Sequence, residues 1–196
     1  MKTLFATLTS AVLIFFLFLA LPISGEEQVY ESVVRLHVLP TDDTREAQDL
    51  KLLVRDALLS RYGERIGALE SKAAAEAFLV ENKNDIESYL CALLEENGSK
   101  ATATVSVSEE YFDTREYNGV TLPAGTYTAL TVKLDEGKGQ NWWCVLYPSL
   151  CTEAAMGDTL TVAKDALSES EYKLVTDEGY LIKLRTLELL EKVFGK

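Results

Sequence analysis

Val33–Leu39 reads VVRLHVL, and this short stretch decides the fold class. As a strand it sets Val34, Leu36 and Val38 on one face and Val33, Arg35, His37 and Leu39 on the other. The first of these faces belongs to a core. Pro40 and the run Thr41-Asp42-Asp43-Thr44 then stop the strand, with Asp43 or Thr44 placed to cap a helix by accepting backbone N–H bonds. Working outward, Arg45 to Arg61 repeats Ala47, Leu50, Val54, Ala57, Leu58 and Arg61 on one side, widened by Leu53. A second helical tract is expected from Glu64 to Val80, a pause around Glu81–Asn84, and a third tract from Asp85 to Glu96 carrying Ile86, Tyr89, Leu90, Leu93 and Leu94. Asn97-Gly98 supplies a stop.

Beyond that stop the hydrophobic period changes from helical to alternating. Ala101, Ala103, Val105 and Val107 alternate with Thr102, Thr104, Ser106 and Ser108, which reads as a half-buried strand. Asn118-Gly119 and Pro123-Ala124-Gly125 mark turns around a loop or short hairpin, and β-like alternation resumes over Thr126–Leu134. Gly137-Lys138-Gly139 makes another turn before a strand over Trp142–Tyr147, antiparallel to the preceding one because the connection is too short for a parallel crossover. A short helix within Ala163–Leu174 and a terminal helix over Tyr180–Phe194 complete the pattern. The class is α+β: a mostly antiparallel sheet covered by helices on one face, forming a single domain after an N-terminal export segment.

That segment is residues 1–25, in which Lys2 is the one formal charge. Leu4 to Ile23 contains no Asp, Glu, Lys, Arg or His, so exposing it to water is costly and it meets a membrane at least during export. It is a signal peptide cut near Gly25 or an uncut membrane anchor, handled in either case by the export machinery. Residues 26–196 form the exported domain, which has 19 basic residues less Lys2 against 31 acidic ones. This balance repels nucleic-acid phosphates.

Candidate chemistry is sparse. His37 is the sole histidine, and no nucleophile elbow, HExxH, P-loop or dinucleotide fingerprint accompanies it. No catalytic residue, metal ligand, cofactor or small-molecule substrate is assigned. His37 is a structural residue, a partner-binding one or a base, and Arg35 shares its strand face. Trp142 and Trp143 point to opposite faces of their strand. One fits the core, while the other covers the second sheet face or anchors a partner protein. Asp113, Arg115 and Glu116 form a turn in which Arg115 pairs with a carboxylate, and Asp42, Asp43 and Asp49 serve capping or solvation. Of three cysteines, Cys144 and Cys151 suit a short disulfide loop in an oxidising compartment, with Cys91 as a small core residue or an alternative partner.

Three blocks carry a resemblance: VVRLHVLPTDD with LKLLVRDALL, then TREYNGVTLPAGTYTAL, then GKGQNWWCVLYPSLC. Together they resemble the stage II sporulation protein R family, exported developmental signals of endospore-forming bacteria. Where that family usually has Ala-Asn-Ser-Asp after its first strand, this chain has Pro40, Thr41, Asp42 and Asp43. The resemblance implies secretion from the forespore into the space between two membranes. It further implies activation of a membrane-bound aspartic protease that matures the precursor of the mother-cell sigma factor. Such a protein is not an enzyme, and its contact candidates are Arg35, His37, Arg115, Trp142 and Trp143. The competing class is an exported cell-wall carbohydrate hydrolase using a carboxylate pair.

Overall fold

The computed structural model describes residues 25–150 and 159–177, together with positions 7, 9–12, 14, 15, 180, 182–184 and 186. The elements in chain order are α1 (Glu26–Ser32), β1 (Val34–Leu39), α2 (Arg45–Gly67), α3 (Lys72–Glu96), β2 (Ala103–Phe112), β3 (Arg115–Tyr117), β4 (Val120–Leu122), β5 (Gly125–Leu134), β6 (Trp142–Tyr147), α4 (Thr159–Ala166) and α5 (Glu169–Thr176). The main sheet has the order β2-β5-β1-β6, and β3 pairs with β4 as a separate hairpin. β2 runs antiparallel to β5 and β6 antiparallel to β1, while β1 and β5 are parallel. The mostly antiparallel α+β reading therefore holds.

Strand β6 does run opposite to β5, but β1 lies between them. The connection over 135–141 steps across one strand, a placement that strand direction alone leaves open. It is fixed by backbone contact with the β1–α2 loop, in which Lys138 N donates to Thr41 O at 3.2 Å and Gly139 N to Pro40 O at 3.1 Å. A Cβ built on Gly139 would sit 2.1 Å from Asp42 O. Only glycine permits this approach. Gly139→Ala is expected to cost about 1–3 kcal/mol in denaturant unfolding, because backbone atoms cannot swing aside as a side chain would.

One face of the sheet carries Val34, Leu36, Val38, Leu130, Val132, Val105 and Cys144, all buried, and packs against α2 and α3. The helices differ from expectation in where they break. Residues 61–64 and 81–84 lie inside continuous helices, and the break falls at Ala68–Ser71. Leu79 and Ile86 are seven residues apart, so both stay on the buried stripe while the polar tract between them turns largely to solvent. Asn82 Nδ2 also returns to Phe78 O at 2.8 Å, which removes its competition with the helix. Thr44 caps α2 by accepting from Ala47 N, and Ser71 caps α3 by accepting from Ala74 N.

The second face is not bare, as a one-sided sheet would have been. At one end Phe112, Tyr127 and Ala129 are buried, and α1, the β3–β4 hairpin and α5 assemble around that end. Asn118 and Gly119 both take positive φ (45° and 90°) and close the hairpin as a two-residue turn. At the other end Thr104, Ser106, Ser108 and Lys133 on the same face are exposed. Two helices, α4 and α5, replace the single short helix expected within Ala163–Leu174, because Ser168 forms a reciprocal capping box with Glu171. Most of the expected terminal helix over Tyr180–Phe194 and of the apolar run Leu4–Ile23 lies outside the described residues. Among the described residues no helix is long and apolar enough to cross a membrane.

Candidate functional site

The boundary between the covered and open halves of the second sheet face gathers four of the five contact candidates. Register explains this: His37 pairs with Trp143 on β6 and Thr131 on β5, and Thr131 pairs with Ser106 on β2, so their side chains share one face. The Trp143 ring stacks on the His37 imidazole with centroids 4.0 Å apart and planes 15° from parallel. The Arg115 guanidinium, delivered by the hairpin, lies 5.8 Å from the Trp143 ring centre. It is an outer limit for a cation–π contact. Below the stack, Phe112 meets Trp143 edge-on at 4.9 Å.

His37 is nearly buried and has Nδ1 2.9 Å from Glu110 Oε2. The Glu110 carboxylate also accepts from Thr131 Oγ1 at 2.5 Å. Its pKa is held below the usual glutamate 4.5, chiefly by the His37 hydrogen bond, with burial opposing and Thr131 assisting. A lowered folded value means that the carboxylate stabilises the fold above pH 4.5 and loses that contribution as pH falls through the folded value. Glu110→Gln should therefore separate from the wild type in denaturant midpoint near neutral pH and converge with it on acidification. A constant gap down to acid pH would contradict this.

Arg35 is fully buried, two residues before His37 on the same face. It forms no ion pair with a carboxylate among the described residues. Its guanidinium carbon sits 4.3 Å over Phe112, 5.0 Å from Tyr127 and 5.6 Å from Tyr117, a three-ring cage that offsets part of its desolvation. Nε donates to Cys144 O at 3.2 Å and Nη2 to Tyr117 Oη at 2.7 Å, while Nη1 has no hydrogen-bond partner among the described residues. Burial raises the Tyr117 phenol pKa, with the Arg35 charge opposing, so the phenol stays neutral and accepts from the guanidinium. Arg35 thereby ties the hairpin to the sheet from beneath.

The fifth candidate is elsewhere. Trp142 lies on the helix-covered face, with the Arg55 guanidinium of α2 4.2 Å over its ring. Arg115 forms no ion pair with Asp113 or Glu116 among the described residues; contact with the Trp143 ring replaces the expected pairing. Asp42 accepts from Thr44 N at 2.9 Å and Asp43 from Gln140 N, so these exposed aspartates order the loops while Thr44 is the cap of α2. Cys91 is free, with Sγ 3.4 Å from both Ala103 N and Ala103 O, in the half-buried core role. Cys151 lies outside the described residues. Among those described, no group of three or more His, Cys, Asp or Glu is placed to hold a metal ion.

Sequence reading missed Glu110, Phe112 and Tyr117 as members of this cluster. The alternation read from the sequence covers Ala101–Ser108, whereas the strand runs on to Phe112 past Glu109-Glu110-Tyr111, where the apolar side of the pattern stops. The signal was present on the polar side: Ser106, Ser108, Glu110 and Phe112 continue the period of 2.

A family model described as stage II sporulation protein R matches residues 30–156, which contain every residue of the cluster. The chain belongs to the stage II sporulation protein R family. It is similar to Stage II sporulation protein R of Bacillus subtilis (strain 168), 30% identical over 121 residues. That alignment covers 62% of this chain and 54% of the relative, so the chain spans just over half the relative's length. No solved structure matches. Family membership gives the chain a role in sporulation, and the family's blocks meet in space: VVRLHVLPTDD touches GKGQNWW through the loop contacts, and TREYNG reaches both through Arg115 and Tyr117.

Proposed function

We propose that the chain is an exported sporulation signal that acts by contact, with residues 26–196 facing the space between the forespore and mother-cell membranes. Its target is a membrane-bound aspartic protease, whose activation leads to processing of the mother-cell sigma-factor precursor. Family membership over residues 30–156 is the observation that carries this reading. The cluster adds support, since a partly buried Trp143 braced on His37 and flanked by an exposed Arg115 is the kind of rigid aromatic anchor from which contact energy comes. The signal carries information through binding and changes the population of active protease.

Export also sets the redox context, and we propose that Cys144 pairs with Cys151 after translocation. Peptide mapping of the exported protein without reduction would show a linked fragment, and alkylation of both thiols would overturn the pairing. The direct-contact function is tested by reconstituting the protease in membranes and adding the purified chain. Association and increased cleavage of the sigma precursor are expected. No association would contradict direct contact.

A further inference from the structure

We infer that the open half of the second sheet face receives an acidic, extended segment of the protein partner, with Arg115 and Lys133 pairing its carboxylates and Trp143 covering an apolar side chain beside them. This rests on the contact function proposed above and specifies the chemistry of what is contacted. The argument is one of charge. The whole chain has a formal charge of -12, yet on the open half of this face the strands place Lys133 from β5, His37 from β1 and a single carboxylate, Glu110 from β2, with none from β6, while Arg35 lies buried beneath the hairpin in the covered half. Glu110 is already occupied by His37 and Thr131. Arg115 and Lys133 are exposed and neither pairs with a carboxylate among the described residues. A locally positive, partly aromatic strip selects an acidic partner segment.

Geometry fits an extended occupant better than a helix. Thr104, Ser106 and Ser108 are small exposed side chains along β2, leaving a shallow floor beside Lys133, while Trp143 stands across β1 on the opposite edge strand β6. A strand-like segment with alternating acidic and apolar residues would offer carboxylates to Arg115 and Lys133 and a methyl-bearing side chain to the indole.

The test uses the full chain held in phosphatidylcholine nanodiscs and a short fluorescent peptide alternating Glu and Leu, read by anisotropy. Binding is expected for this peptide and not for the equivalent Lys/Leu peptide. Arg115→Glu or Lys133→Glu should weaken it by about tenfold or more, while Lys164→Glu on exposed α4, an equal charge change, should leave it intact. Both test positions are exposed, so these variants are expected to fold. Binding that ignores Arg115 and Lys133, or a preference for phosphatidylglycerol vesicles over the peptide, would overturn the proposal. A chain that restores sigma-precursor cleavage in cells yet ignores the acidic peptide would overturn this assignment and leave the contact function standing. Peptide binding through these residues by a chain that fails in cells would support the assignment and count against the contact function.

Discussion

Arg35→Ala is expected to destabilise the domain by about 3–4 kcal/mol in denaturant unfolding, the largest effect of any single polar substitution in the cluster. The side chain is fully buried, and its removal empties the space between the Phe112, Tyr117 and Tyr127 rings. It also strips the Tyr117 hydroxyl of its donor at 2.7 Å, releasing the hairpin that carries Arg115. Arg35→Met separates packing from charge. Methionine refills most of the volume and carries no desolvation penalty, so its loss should be less than half that of alanine. Equal losses in the two variants would show that the cation's attraction to the rings, and not the filled volume, holds the hairpin down.

Trp143→Ala is expected to act on both stability and signalling. The indole stacks on His37 and meets Phe112 edge-on, but its outer surface is partly open, so about 2 kcal/mol should be lost, less than for a fully buried tryptophan. Sigma-precursor cleavage should fall on the order of tenfold or more, as for a central anchor residue. Trp143→Phe distinguishes the causes, since it keeps an aromatic ring over His37 and under Arg115. Near-normal stability with substantial cleavage is expected from it. If Trp143→Ala unfolds the chain and a stabilised background restores cleavage without the ring, Trp143 is core and not contact.

The sheet and its main helices were legible because their signals are local. The alternation in Val33–Leu39 and the span Trp142–Tyr147 appear unchanged in β1 and β6. Helix α3 was misread as two pieces because a polar tract with two asparagines looks like a stop, whereas the heptad spacing of Leu79 and Ile86 carries the buried stripe through it. Arg35 and His37 were placed on the correct shared face, but their burial could not be read. It comes from β3–β4 and β6, more than 75 residues downstream, folding over and beside β1. The same cause hid Glu110, whose role exists only once β5 brings β2 within reach of β1. Arg115 shows the converse limit, for a carboxylate two positions away in sequence lost to an indole brought in by tertiary structure.

The central claim is that this chain signals by contact through the Trp143–Arg115 face. Its most direct test is sigma-precursor cleavage in sporulating cells whose resident family member has been replaced by this chain. Immunoblots should also confirm equal accumulation of each variant. The wild-type chain should restore cleavage, and Arg115→Glu and Trp143→Ala should both fail to restore it at equal protein levels. Full cleavage with both variants, or none with the wild type, would contradict the account.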